Sequence, residues 1–116
     1  MLKAVEEARR AGDRIFAFMN VGETHVPYWH EGAPWSPADN PCVPFAGGND
    51  ANVARERQRA CVEWVDHEIA SVLAMFGSAA IVVCSDHGDC WGEDGLWEHG
   101  IHHRYTLEVP LLFRLP

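Results

Sequence analysis

Ala79-Ala80-Ile81-Val82-Val83-Cys84-Ser85-Asp86-His87-Gly88, "AAIVVCSDHG" (79–88), joins an apolar run to a polar turn that ends in glycine. A short, continuously apolar run bounded by turn signals predicts a strand covered on both faces, the pattern of parallel sheets. Two more segments read the same way. "RIFAFMNVG" (14–22) is apolar from Ile15 to Met19, and "VPLLF" (109–113) carries Pro110, which puts it at a strand start or a sheet edge.

Helical patterns alternate with these runs. Residues 2–11 place Leu2, Val5 and Ala8 on one face, with Gly12 as the stop. A second helix, capped by Asn49 or Asp50, runs to about Phe76 and stops at Gly77. Its stripe of Cys61, Val65, Ile69, Val72 and Phe76 predicts one face packed on a sheet. Between these elements, 31–50 holds Pro34, Pro37, Pro41, Pro44 and Gly47-Gly48, which exclude regular structure. A loop of that length is either a lid or binding loop or a variable surface insertion.

This order predicts an α/β fold with a mostly parallel sheet and right-handed crossovers, residues 1–116 forming one domain or part of one. Such sheets do their chemistry just beyond the carboxyl ends of the strands. Asn20 to His25 and Ser85 to Gly88 stand at those ends.

Composition narrows the function. An apolar content of 47% with five Trp excludes a disordered chain. A net charge of −8 disfavours nucleic acid and anionic membrane surfaces as partners and makes a cation the natural complement. The four cysteines, at 42, 61, 84 and 90, lack zinc-finger spacing, and Cys61 and Cys84 read as buried free thiols. "MLKAVEEARRAGDR" lacks an apolar stretch of signal-peptide length, and no run approaches a membrane span, so the expectation is a cytoplasmic chain unless a leader was lost from a longer parent.

From Cys84 to His103 the chain gathers four of its seven His with five carboxylates. Asp86 and His87 are candidate metal ligands, because Gly88 lets the backbone bend so that both converge on one ion. A carboxylate oxygen beside an imidazole suits a divalent metal, Zn²⁺ or Mn²⁺ ahead of Mg²⁺ or Ca²⁺. The competing reading is a plain turn in which Asp86 caps backbone amides. His25, in "ETHVPYWH" beside Tyr28 and Trp29, is a candidate for an anionic substrate group or a second metal. His99 is the favoured catalytic candidate of "HGIHH", and His102 and His103 are further candidates for substrate or a second metal. Glu93 and Asp94 between glycines read as a solvated turn, His67 as surface, and Asp66 as able to orient a ligand.

"FAFMNVGETHVPYW", "RQRACVEWVDHEIASVL", "IVVCSDHGDCWGEDGLWEHG" and "VPLLFRLP" resemble, in order, the C-terminal half of the catalytic domain of the sulfatase-like branch of the alkaline phosphatase superfamily. The resemblance covers residues from about 14 to the end. It implies a partial α/β/α sandwich acting on phosphate, phosphonate or sulfate esters. It further implies that Asp86 and His87 are a metal-ligand pair and that His25 contacts the substrate anion or leaving group. His99 falls near a family Lys, which weakens a sulfate assignment. The first metal Asp and the nucleophile of that family precede the matched region, and no Cys/Ser-x-Pro/Ala-x-Arg motif occurs here. The expectation is therefore a metal-dependent hydrolase of phosphate or sulfate esters that lacks its nucleophile segment, with a missing N-terminal half as partner. The alternative is a non-catalytic metal- or anion-binding module that dimerises through an uncovered sheet edge.

Overall fold

A computed structural model describes residues 2–116, apart from the side chain of Leu2, whose expected place on the first helix face lies outside what is described. Helix α1 spans Leu2–Ala11 and ends at Gly12, whose φ of 78° needs no Cβ. Helix α2 spans Ala51–Met75. Asp50 caps it as expected, its Oδ1 accepting the amides of Asn52 at 2.9 Å and Val53 at 3.1 Å. Arg9 Nη1 donates to the Met75 carbonyl at 2.8 Å, so α1 caps the far end of α2. Strand β1 is Ile81–Cys84, β2 Cys90–Trp91, β3 Trp97–Glu98 and β4 Leu111–Arg114, with the single-turn helix α3 at Arg104–Leu107.

The expected parallel sheet is overturned. Among the described residues the strands form two antiparallel pairs, β1 with β4 and β2 with β3, and there is no α/β/α sandwich. Parallel pairing needs a crossover, and the one available, α2, has no strand before it to cross from. Residues 15–19 find no partner strand among the described residues, with Phe16 91% and Phe18 79% exposed. The last strand therefore returns beside β1 in the opposite direction, Val82 facing Phe113 and Val83 facing Leu112. Neither strand is covered on both faces. Val82, Val83 and Cys84 are exposed, as are all four residues of β4. Cys84 is thus not the buried thiol expected of it.

The core lies instead under the loops. Tyr28, Cys42, Ala54 and Cys61 are fully buried, with Val26, Trp91 and Trp97 packed against them. The α2 stripe meets this loop layer at Cys61, while Val65 to Phe76 are only half-covered. Residues 31–50 contain no helix or strand, as expected, yet they are well tied down. The Trp35 indole donates to the Tyr28 carbonyl and the Trp29 indole to the Trp35 carbonyl. Asn49 bonds both backbone groups of Val43, and the Asp50 amide reaches the Pro41 carbonyl.

Candidate metal centre

Three segments far apart in sequence meet at one corner of this loop layer. The first is the turn His25–Tyr28, closed by the Tyr28 amide on the His25 carbonyl at 2.7 Å, with a cis Val26–Pro27 bond. It sends Tyr28 into the core and leaves His25 at the surface. The second is the exit from β1. Here the Ser85 hydroxyl donates to the His87 carbonyl, and the Gly88 amide donates to the Thr106 carbonyl at 3.1 Å. A Cβ on Gly88 would run into the Tyr105 carbonyl oxygen, so only glycine permits this approach to α3. The third is His99, just after β3.

His25, His87 and His99 each place a ring nitrogen within 4.8 Å of the other two. Their ring centroids are 4.1 Å (His87–His99), 4.8 Å (His25–His99) and 5.6 Å (His25–His87) apart. Each ring has one nitrogen beside an acceptor. Nδ1 of His25 lies 2.9 Å from the Val26 carbonyl, Nδ1 of His87 lies 3.1 Å from the Gly88 carbonyl, and Nδ1 of His99 lies 2.7 Å from Asp89 Oδ1. Carbonyls and carboxylates only accept, so each Nδ1 is the nitrogen placed to donate, and Nε2 is the one free of these contacts. Three imidazoles from separate segments, each with one nitrogen beside an acceptor, are a donor set that nitrogen-binding divalent metals use. The cluster could hold a divalent metal ion.

Asp86 stands beside this group rather than in it. Its side chain is 90% exposed, its Oδ1 accepts the His87 amide at 3.1 Å and lies 3.9 Å from His87 Nε2. His103 is occupied elsewhere. It caps α3 by accepting the Tyr105 amide on Nδ1, where the Cys90 thiol also sits at 3.1 Å, and its Nε2 faces Asp94 at 3.3 Å. Burial pushes the Cys90 thiol up, and Glu93, Asp89 and Asp94 add to the shift, which suits a thiol that donates to His103. His102 is exposed, as are Asp66 and His67 on α2.

Sequence reasoning did not find Asp89. Its carboxylate is 3% exposed, and it accepts the Tyr28 phenol at 2.7 Å on the oxygen that does not face His99. The Tyr28 oxygen in turn accepts the Trp91 indole at 2.9 Å. Burial, the dominant cause, drives the phenol well above the ordinary tyrosine range, so it remains a donor. The one available signal was position: Asp89 directly follows Gly88, where the chain turns inward.

Comparison with family models, with curated proteins and with solved structures finds no match to this chain. Among the described residues no helix is long and apolar enough to cross a membrane.

Proposed function

We propose that the His25–His87–His99 cluster is a divalent-metal centre that binds the anionic group of a phosphate or sulfate ester, the metal-holding part of a metal-dependent ester hydrolase. The observation that carries this reading is the convergence of three ring nitrogens within 4.8 Å of one another, with each Nδ1 beside an acceptor. All three residues lie in motifs that resemble the sulfatase-like branch of the alkaline phosphatase superfamily, where His87 is the expected metal ligand beside Asp86 and His25 and His99 are expected to act on the substrate. Nitrogen donors favour Zn²⁺, or Mn²⁺ with Asp86 as an added oxygen donor. When bound, the ion would supply Lewis-acid stabilisation of an ester oxygen. Beside it, Asp89 keeps His99 aligned.

The binding-module reading keeps one observation in its favour. Ser85, two residues from His87, donates its hydroxyl to the His87 carbonyl, which leaves it turned away from the nucleophile's role. We therefore expect this chain to bind metal and a phosphate-like anion without turnover of its own. Elemental analysis should find close to one equivalent of Zn or Mn in the protein and none in a His87→Ala/His99→Ala variant. With that metal present, p-nitrophenyl phosphate and p-nitrophenyl sulfate should be hydrolysed no faster than in the blank. Absence of metal from the parent protein would remove the centre. A metal-dependent rate lost in the variant would show that a nucleophile is present after all.

A further inference from the structure

Behind the cluster runs a chain of polar groups whose directions are fixed by chemistry. The Trp91 indole can only donate, and does so to the Tyr28 oxygen at 2.9 Å. The single Tyr28 proton goes to Asp89 Oδ2 at 2.7 Å. Asp89 Oδ1 then stands 2.7 Å from His99 Nδ1, and the carboxylate can only accept. Tyr28 is fully buried, and no buried side-chain polar atom among the described residues is left without a partner. The relay therefore ties His99 to the core rather than to the surface.

We propose that Asp89 is the positioning residue of the centre: it holds His99 in the Nδ1–H tautomer and so presents Nε2 to a divalent cation of the zinc class. This rests on the three-histidine reading above. Imidazole ligands bring no charge to an ion, and Asp89 is the buried carboxylate directly behind one of them. Its charge makes the His99 ring a better donor and offsets part of the cation's charge, while leaving enough to attract an anionic ester. Burial keeps the Tyr28 phenol protonated, so its hold on Asp89 persists across the working pH range.

Asp89→Asn separates this role from simple support. The amide keeps its oxygen toward the Tyr28 proton, since turning it away would orphan a buried hydroxyl. Its NH₂ then faces His99 Nδ1, which must accept, and the ring proton moves to Nε2 and masks the ligand atom. The same exchange of aspartate for asparagine sets the wrong histidine tautomer in serine-protease triads.

The test is imidazole ¹⁵N–¹H correlation spectroscopy on the metal-free protein, with zinc affinity from competition against a chelating dye. The parent protein should show Nδ1–H at His99, and Asp89→Asn should show Nε2–H there while His25 and His87 keep Nδ1–H. Zinc affinity should fall 10- to 100-fold in Asp89→Asn. Tyr28→Phe should leave the His99 tautomer unchanged. An unshifted tautomer with unchanged zinc affinity in Asp89→Asn overturns the proposal, as does an Nε2–H His99 in the parent, which decides the matter even if the variant fails to fold. A parent that shows the tautomer shift on mutation but binds no zinc keeps Asp89's hold on His99 and removes the metal reading.

Discussion

Cys84 faces solvent at the end of β1, whereas Cys42, Cys61 and Cys90 are fully buried, and all four are free. Native protein treated with a chromogenic disulfide reagent at pH 8 should therefore release one thiol equivalent quickly and the rest only on unfolding, and Cys84→Ser should abolish the fast phase. Burial also pushes the Cys42 and Cys61 thiols up to about 11. An unfolded thiol titrates near 8.5, so below that pH both states are protonated and the stabilisation is intact. Between about 8.5 and 11 the unfolded chain loses protons that the folded chain keeps, and stability falls by roughly 3 kcal/mol per thiol by pH 11. Thermal unfolding followed from pH 7 to 10.5 should show this decline, and Cys61→Ala should flatten its slope. At this scale the residues of the candidate cluster were legible by type and by neighbouring Gly or Pro, but not their grouping: His87 was paired with Asp86, and His25 and His99 were given substrate roles. Asp89 was not legible, because a buried carboxylate looks in sequence like any surface aspartate until its phenol and imidazole partners, 61 and 10 residues away, are known.

Helix α2 is secured by local chemistry, and the β1 exit by a contact across the fold. Asp50→Ala should cost about 1 kcal/mol, the usual worth of a cap, and leave zinc binding intact. Gly88→Ala should cost more, roughly 2–4 kcal/mol, because the new methyl meets the Tyr105 carbonyl and must force α3 away, breaking the Gly88–Thr106 bond. It should also weaken zinc binding by displacing His87. Urea denaturation and dye competition on both variants measure the contrast, and equal effects on zinc affinity would contradict it. The same distinction explains which elements the sequence revealed. Helix α2 carries its own start, stop and periodicity within the chain, and α1 its periodicity and stop. The strands depend on partners elsewhere, so a run such as Ile15–Met19 declares itself apolar without saying that nothing pairs with it. The short β2–β3 ribbon and α3 carried no periodic signal at all.

Across the whole molecule the fold is open. Its radius of gyration is 17.1 Å, against about 13 Å for a compact domain of this length. Its accessible surface of 8321 Å² exceeds that of a compact 13.0 kDa protein by about 2,000 Å². That surplus matches one partner's share of an obligate interface, about 1,000–2,500 Å². Much of it is apolar: Leu111, Leu112, Phe113 and Leu115 are each more than 60% exposed, as are Phe16 and Phe18. We expect the chain to associate with a second copy through the β1–β4 ribbon, as light scattering after size exclusion would show at micromolar concentration. Leu111→Lys/Phe113→Lys, two changes on one face of β4, should shift it toward the monomer. A monodisperse 13.0 kDa species at every concentration would contradict this.

Only the folded chain brings residues 25, 87 and 99 together, and X-ray absorption at the zinc edge of the loaded protein tests that convergence most directly. A three-histidine centre gives nitrogen and oxygen neighbours at about 2.0–2.1 Å, with the outer-shell scattering of three imidazoles. Sulfur at about 2.3 Å, as from Cys84, or fewer than three imidazoles would contradict the three-histidine centre.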